Sequence, residues 1–331
     1  MIKANTTLKE IGNILAAADS VLLFPHMNPD PDGIGSSMAL CRALRGQGKT
    51  AWIILDSELP GYMKYMEAGS DGDGPDGPLI TLDQEILSEP DICVSMDGSD
   101  DSRITGREEI FHKGRTSLCI DHHLVKECDR DHYYIDPDAA ATAQLIFTLM
   151  KEMDWPMDER IATDLYTGIN GDTGCFMYSN TTPEIMRISA ELMELGADTE
   201  LVNVNLHQSR SLETVKVTMK VMETLDMFAD GRAAMAKLTK EMLESCNAKM
   251  EAADQVIDDL RSIEGVEIAA FVKEDGEVTR VNMRAKTCGN VAEIAERHGG
   301  GGHAKAAGFR EEAPLEQVYE TLREEIRLAL E

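Results

Sequence analysis

Residues 26–36 read HMNPDPDGIGS and directly follow the apolar run Val21–Phe24. A short apolar run that passes into a polar, Pro- and Gly-rich segment and then into a helical pattern is typical of a parallel strand with its crossover helix. The helix is predicted from about Ser36 to Arg45, with Ser36 or Ser37 as its N-terminal cap. The segment therefore predicts the first unit of an α/β sheet, with polar side chains at the carboxyl end of a strand.

Further apolar runs of the same kind follow, and each ends at an aspartate. The runs are Ala51–Leu55, Ile92–Met96 and Ser117–Ile120, and the aspartates are Asp56, Asp97 and Asp121. In open parallel sheets, ligands bind at the edge where the carboxyl ends of the strands meet. Helical patterns continue over Ala139–Lys151, Asp158–Ile169 and Thr182–Leu195. We therefore predict an α/β fold whose N-terminal domain is a parallel sheet with flanking helices.

The character of the sequence changes after a polar, helical stretch from about Thr199 to Leu225. Beyond it, the patterns predict a strand at Arg232–Leu238, a hairpin formed by Ile268–Val272 and Val278–Arg284, and helices at Val291–His298 and Leu315–Leu330. We expect an N-terminal domain over residues 1–195, a helical linker over 196–230 and a smaller C-terminal α/β domain with a mixed sheet over 231–331.

The composition excludes several classes of protein. The 331 residues carry a net charge of −28, which opposes binding to long duplex nucleic acid or to an anionic membrane. Seven cysteines without a Cys-x-x-Cys pair argue against a disulfide framework and a structural zinc site. With no signal-peptide pattern and no apolar run of ~18 residues, a cytoplasmic location is predicted. The acidic segment Ser70–Pro78 departs from a calcium loop and is predicted to be a solvated turn.

Aspartates and histidines gather at the predicted strand ends and in one Gly-rich loop, Gly168–Gly174. They are His26, Asp30, Asp32, Asp97, Asp121, His122, His123 and Asp172. Each alone has an ordinary structural explanation, such as a helix cap or a surface histidine. Their joint occurrence predicts a metal centre, and carboxylate and imidazole ligands without thiolate favour Mn²⁺, with Mg²⁺, Co²⁺ or Zn²⁺ as alternatives. Two ions ~3.5–4 Å apart assist in-line displacement at phosphorus, so phosphoester hydrolysis is the predicted reaction class.

The series His26-x-x-Pro29-Asp30-x-Asp32, Asp97, Asp121-His122-His123 and Gly168-x-x-x-Asp172 resembles the DHH phosphoesterase superfamily over most of the first 190 residues. The resemblance implies that His26, Asp30 and Asp97 hold one metal ion, and that Asp32, Asp97, His122 and Asp172 hold a second. Asp97 would then bridge the two ions, which would activate a bridging hydroxide. It also implies that His123 lies against the phosphate and assists proton transfer, while Asp121 orients the histidines.

The stretch Gly299–Phe309, with its four consecutive glycines and His303, resembles the DHHA1 substrate-binding domain. In that domain, positions matching Gly300, Gly301, Gly302 and His303 meet a nucleotide phosphate. Arg284 and Asn290 also match the pattern of the domain, which implies a substrate-binding role for both. Taken alone, the glycines indicate only a turn, and Arg284 an exposed strand residue.

Among DHH proteins, the chain most resembles the bifunctional oligoribonucleases, or nanoRNases, and pAp phosphatases. This implies a Mn²⁺-dependent exonuclease acting on short oligoribonucleotides and linear dinucleotides such as pApA, and a phosphatase acting on pAp. The alternatives are a cyclic-di-AMP phosphodiesterase, a family II inorganic pyrophosphatase and a non-catalytic nucleotide sensor. The glycine stretch with His303 argues against the pyrophosphatase, and a homodimer stays open. Cys175, Met177 and the segment Lys126–Cys128 depart from the family pattern.

Overall fold

The computed structural model describes residues 3–67 and 77–331 of the chain. The chain divides into two compact units, Met1–Ser209 and Arg210–Glu331. Most of the turn predicted at Ser70–Pro78 lies outside the described residues. The predicted domain limits at 195 and 231 stay predictions.

The first unit contains a six-stranded sheet whose strands are all parallel, which confirms the predicted N-terminal sheet. Its strands are β1 Ser20–Pro25, β2 Thr50–Ile54, β3 Ile80–Thr81, β4 Ile92–Met96, β5 Thr116–Asp121 and β6 His132–Ile135. The spatial order is β3-β2-β1-β4-β5-β6. The chain therefore adds β2 and β3 on one side of β1 and then β4, β5 and β6 on its other side, so the order of the strands reverses between β1 and β4. This switch point is where open α/β sheets bind ligands.

Helices cover both faces of the first sheet. They are α1 Leu8–Ala17, α2 Pro31–Gly46, α3 Glu108–Phe111, α4 Thr142–Glu152, α5 Glu159–Asp172, α6 Pro183–Glu194 and α7 Thr199–His207. The helix predicted from Ser36 begins instead at Pro31, and its N-terminal cap is Asp30. Proline suits the first helical position because its missing N–H needs no partner there. Asp172, predicted in a loop, is the last residue of α5.

The second unit contains a mixed six-stranded sheet, as predicted. Its strands are β7 Asp226–Phe228, β8 Ala233–Leu238, β9 Ile268–Asp275, β10 Val278–Ala285, β11 Gly301–His303 and β12 Ala306–Glu311. Its helices are α8 Leu212–Met222, α9 Lys240–Cys246, α10 Val256–Ser262, α11 Val291–Arg297 and α12 Leu315–Ala329. The order is β11-β12-β10-β9-β8-β7, with β8 and β9 parallel and the other pairs antiparallel.

Two general properties of the chain follow from the described residues. Within 3–67 and 77–331, every helix is too short or too polar to cross a bilayer. All seven cysteines are free thiols.

Candidate metal centre

His26 and Asp30 lie at the carboxyl end of β1, where the chain enters α2. One carboxylate oxygen of Asp30, Oδ1, accepts from the amides of Asp32 (3.1 Å) and Gly33 (2.9 Å), so this side chain caps α2. Its other oxygen, Oδ2, lies 3.5 Å from Nε2 of His26. Because Nδ1 of His26 is 2.8 Å from the carbonyl of Met27, Nε2 is the ring nitrogen directed at the carboxylates.

Asp97 lies between two groups of side chains and presents one oxygen to each. The first group is His26 with Asp30, and the second is His122 with Asp32 and Asp172. Its Oδ2 is 3.5 Å from Nε2 of His26, and its Oδ1 is 3.5 Å from Nε2 of His122. The residue is 1% exposed and follows the last residue of β4. Its backbone has φ +58°, a left-handed conformation that few residues other than Gly, Asn and Asp adopt. The sharp turn there directs the carboxylate across the edge of the sheet.

His122 lies close to both carboxylates of the second group. Its Nε2 is 3.0 Å from Oδ2 of Asp172 and 3.8 Å from Oδ2 of Asp32. Its Nδ1 lies 3.3 Å from the carbonyl oxygen of Ala139, which orients the ring. A backbone or carboxylate partner on the far nitrogen is usual for metal-binding histidines.

His123 and Asp121 form a pair beside these groups. Oδ1 of Asp121 is 2.8 Å from Nδ1 of His123 and accepts from the His123 amide at 2.9 Å. Asp121 is fully buried at the end of β5, whereas His123 is partly exposed. The carboxylate therefore fixes the orientation of the His123 ring, which also lies 3.5 Å from Asp97 through Nδ1.

Thr142, which the sequence interpretation missed, contacts both groups. Its hydroxyl donates to Oδ1 of Asp97 at 2.9 Å, and its amide donates to Oδ2 of Asp32 at 2.6 Å. The amide of Ala143 donates to Oδ1 of Asp32 at 2.9 Å, so Asp32 closes the N-terminus of α4. Ala141 holds the cap position of α4 and has no side-chain acceptor. The missing cap was the signal in the sequence that this helix needs an acceptor from elsewhere.

Glycines of the motifs allow α2 and α5 to approach closely. A Cβ at Gly35 would lie 2.4 Å from the carbonyl oxygen of Asp164, and one at Gly168 would lie 2.7 Å from Oδ1 of Asp32. Both distances are too short for any larger residue to fit without displacement. The close crossing of the two helices is what brings Asp32 near Asp172.

The crowded carboxylates and histidines shift one another's proton affinities. Burial, together with the charge of Asp30, raises the pKa of Asp97 to about 6. Burial and the charges of Asp97 and Asp172 raise the pKa of Asp32 well above its usual value. Burial opposes the charged form of His26, but the hydrogen bond and charge of Asp30 outweigh it and raise that pKa to about 9. The cluster therefore retains protons that a divalent cation would replace.

The donor set fits divalent cations. Three groups of side chains each place their ligand atoms within 4.8 Å of one another: His26, Asp30 and Asp97; Asp32, His122 and Asp172; and Asp97, His122 and His123. Among the described residues, Oδ2 of Asp97 is a buried atom without a hydrogen-bond partner. Buried polar atoms are normally satisfied, so this oxygen calls for a ligand.

The substrate residues predicted in the second unit lie partly together. Arg284, Ala306 and His303 are paired across β10, β12 and β11, which places Arg284 and His303 on one face of the sheet. Asn290 instead caps α11, where its Oδ1 accepts from the amide of Ala292 and its Nδ2 donates to Glu293. Capping occupies both polar atoms of the Asn290 side chain.

The glycine stretch has two kinds of position. A Cβ at Gly300 would lie 2.3 Å from the carbonyl oxygen of Gly308, and one at Gly302, where φ is +140°, would lie 2.5 Å from that of Ala306. Both glycines are therefore needed for the pairing of β11 with β12. A Cβ at Gly301 would meet no described atom within 4 Å, so the backbone of Gly301 is open to approach.

Comparison with known proteins places the chain in a family. The DHH family N-terminal domain matches residues 20–169, and the DHHA1 domain matches residues 230–331. The bifunctional oligoribonuclease and PAP phosphatase NrnA of Thermus thermophilus is 30% identical over 97% of this chain and 93% of its own length. The protein of the same name from Bacillus subtilis is 27% identical over 90% of this chain and 91% of its own.

A solved structure agrees on the fold. The crystal structure of an exopolyphosphatase-related protein from Bacteroides fragilis superposes with a TM-score of 0.87 at 24% identity, over 98% of this chain and 97% of that one. The chain is a two-domain hydrolase of the α/β class. It belongs to the DHH phosphoesterase family, with a DHHA1 domain in its second unit.

Proposed function

We propose that the chain is a Mn²⁺-dependent phosphoesterase that hydrolyses short oligoribonucleotides and linear dinucleotides such as pApA to 5′-mononucleotides, and converts pAp to AMP. The observation that carries the proposal is the position of Asp97, whose two carboxylate oxygens face two separate groups of ligand atoms. The names of the Thermus and Bacillus relatives support the choice of substrates.

Two ions are proposed, in keeping with two groups of ligands that meet at Asp97. His26, Asp30 and Asp97 would hold one ion, and Asp32, Asp97, His122 and Asp172 the other. Divalent ions there would supply Lewis acidity and positive charge to the phosphoryl group under attack. Protons alone would neutralise the buried carboxylates but would add no positive charge to attract an anionic substrate. Metal dependence is therefore part of the proposal.

His123 is proposed as the residue that passes a proton to the leaving oxygen when the P–O bond breaks. Asp121 holds Nδ1 of its ring at 2.8 Å, so Nε2 is the nitrogen directed away from that carboxylate. Burial works against protonation of His123, but the hydrogen bond and charge of Asp121 and the charge of Asp97 outweigh it and raise the pKa of His123. A raised pKa favours the protonated ring that a general acid requires.

The second unit is proposed to bind the nucleotide. The segment Arg280–Arg310 contains six basic and two acidic residues, in a chain of net charge −28. Arg280, Arg284 and Arg310 lie on the same face of the sheet as His303, because Arg280 pairs with Arg310 and Arg284 with Ala306. A basic face of this size suits a substrate with few phosphates, and the acidic remainder of the chain disfavours a longer strand.

A panel of phosphoesters tests the proposal. The full chain is incubated with Mn²⁺ and, separately, with RNAs of two to five nucleotides, pApA, pAp, cyclic-di-AMP and pyrophosphate, and the products are separated by chromatography. We expect mononucleotides from the short RNAs and pApA, and AMP from pAp. Asp97→Asn should abolish turnover. Asp138→Asn, which alters an exposed carboxylate paired with Lys3, should leave the rate unchanged.

Other results would select another function. Preferential turnover of cyclic-di-AMP or pyrophosphate would replace the proposed substrates, and tight binding without turnover of any phosphoester would indicate a nucleotide sensor. Undiminished turnover by Asp97→Asn would overturn the proposed site.

The seven free thiols fit the proposed cytoplasmic location, where cysteines stay reduced.

A further inference from the structure

Two cysteines lie together behind the Asp121–His123 pair. Cys119 is buried within β5, and Cys128 is half-buried in the connection between β5 and β6. The sulfur of Cys119 is 3.9 Å from the carbonyl oxygen of Gly98, and the sulfur of Cys128 is 3.4 Å from that of Ser99. The two thiols therefore contact consecutive peptide groups of one turn, and each thiol shifts the pKa of the other.

The thiol pair is adjacent to residues of the metal centre. Gly98 and Ser99 follow Asp97 directly, and Cys119 precedes Asp121 by two residues in β5. The charge of Asp121 acts on both thiols, and within residues 3–67 and 77–331 its buried Oδ2 has no hydrogen-bond partner. A covalent change at the thiols therefore alters the surroundings of the carboxylate that orients His123.

The two thiols differ in accessibility and reactivity. The hydrogen bond from Cys119 lowers the pKa of Cys128, although burial opposes this, and Arg130 lowers it further through its amide and its charge. The same hydrogen bond and complete burial raise the pKa of Cys119. Because thiolates react with peroxides and thiols do not, the half-buried Cys128 is the one poised to react first.

We propose that Cys119 and Cys128 are a peroxide-sensitive dithiol whose oxidation to a disulfide slows the neighbouring active site. The oxidant is a hydroperoxide. The Cys128 thiolate attacks one peroxide oxygen, the O–O bond breaks, and Cys128 becomes a sulfenic acid while water or an alcohol leaves. The sulfur of Cys119 then attacks the Cys128 sulfur, the S–O bond breaks, and a second water leaves with the Cys119 proton. Two electrons pass from the two thiols to the peroxide.

The position of Cys128 also explains a departure from the family pattern. Lys126–Cys128 is unlike the sequence expected after the two histidines, and the metal centre makes no use of it. Disulfides in reducing compartments are usually transient and redox-sensing, which is the behaviour proposed for this pair. The cross-link would tie the connection after His123 to β5 and remove both S–H donors from the turn after Asp97.

Peptide mapping tests the chemical part of the proposal. The reduced, Mn²⁺-loaded chain is treated with graded hydrogen peroxide, the remaining thiols are alkylated, and the peptides are analysed by mass spectrometry. We expect the seven thiols to fall to five, a cross-linked peptide joining Cys119 to Cys128, and full reversal by dithiothreitol. Cys119→Ser should trap the Cys128 sulfenic acid, and the exposed Cys288, changed to Ser, serves as the control.

Activity measurements test the functional part. Peroxide should reduce pApA turnover by about tenfold in the wild type and in Cys288→Ser, and dithiothreitol should restore it. Cys128→Ser should keep the turnover rate of the untreated wild type and lose the sensitivity to peroxide. The proposal is overturned if other cysteines oxidise while this pair stays reduced, or if Cys128→Ser is inhibited as strongly as the wild type. The mapping needs no turnover, so it stands apart from any failure of the proposed phosphoesterase activity.

Discussion

The hydroxyl of Thr142 donates a hydrogen bond to Oδ1 of Asp97 at 2.9 Å, while the amide of Thr142 donates to Asp32 at 2.6 Å. A completely buried residue outside every recognisable motif thus holds two of the candidate metal ligands. Because the hydroxyl occupies one side of Oδ1, it limits the directions from which that oxygen can bind an ion. The N-terminus of α4 adds its partial positive charge at Asp32.

Replacing Thr142 separates its hydroxyl from its shape. Thr142→Val keeps the branched side chain and removes the donor, so we expect Mn²⁺ affinity to fall by about tenfold or more, as for other residues that orient metal ligands. Thr142→Ser keeps the donor and should bind Mn²⁺ within about threefold of the wild type on the same grounds. Isothermal titration calorimetry measures both. Wild-type affinity in Thr142→Val would show that the hydroxyl does not position Asp97.

Metal binding should release protons and strengthen as the pH rises. In the metal-free protein the pKa of His26 is raised to about 9, so at pH 7 its ring is protonated and must lose that proton to bind an ion. Apparent Mn²⁺ affinity should therefore rise between pH 6.5 and 9. Calorimetry in buffers of different ionisation enthalpy measures the number of protons released. Equal heats in all buffers would contradict the prediction.

The same shift has a consequence for the metal-free fold. A histidine whose pKa is raised on folding contributes stability that is fully present below about pH 6.5 and is lost as the pH passes through about 9. In the metal-free chain, this loss should lower the midpoint of thermal unfolding as the pH rises towards 9. Saturating Mn²⁺ should raise the midpoint of thermal unfolding more at pH 9 than at pH 6.5. A larger increase at pH 6.5 would contradict the prediction.

Glu267 is a pH-sensitive support within the second unit. Its Oε2 accepts from the hydroxyl of Thr287 (2.7 Å) and from the amides of Thr287 and Cys288 (both 3.0 Å), and these bonds lower the pKa of Glu267 to about 2. Its contribution is present above about pH 4.5 and is lost as the pH falls towards 2. The free energy of unfolding, measured with urea at pH 5, 4 and 3, should fall less with decreasing pH in Glu267→Gln than in the wild type. Exposed Glu264→Gln should retain the wild-type dependence.

Alanine substitutions separate structural from functional glycines. Gly302→Ala places a Cβ 2.5 Å from the carbonyl oxygen of Ala306 at φ +140°, so its unfolding midpoint should drop by several degrees. Gly301→Ala meets open space and should unfold like the wild type. If its backbone approaches the substrate, the KM for pApA should rise with kcat nearly unchanged. An unchanged KM would remove Gly301 from the proposed binding site.

The strands and their terminal aspartates could be predicted because apolar runs followed by Asp are local patterns. The parallel sheet of the first unit and the mixed sheet of the second follow that prediction. The two-residue strand β3 is too short to leave a periodic signal, and the start of α2 was missed although Asp30 and Pro31 are a good cap and first residue.

Within the candidate site, the carboxylates and histidines were accessible to sequence reasoning and their partners were not. Thr142 lies more than 40 residues from Asp97 in the chain, and only the packing of α4 against the edge of the sheet brings the two together. Asn290, which is predicted to bind substrate, caps a helix in the structure, and its role at the substrate stays a prediction.

The number of Mn²⁺ ions bound to each chain tests the central claim that Asp97 joins two metal sites. Native mass spectrometry of the wild type should show two ions. Asp30→Asn should show one ion at limiting Mn²⁺, because only the group with His26 is weakened, and Asp138→Asn should show two. Asp97→Asn should retain one ion at most. Two tightly bound ions in Asp97→Asn, or a single ion in the wild type at saturating Mn²⁺, would contradict the account.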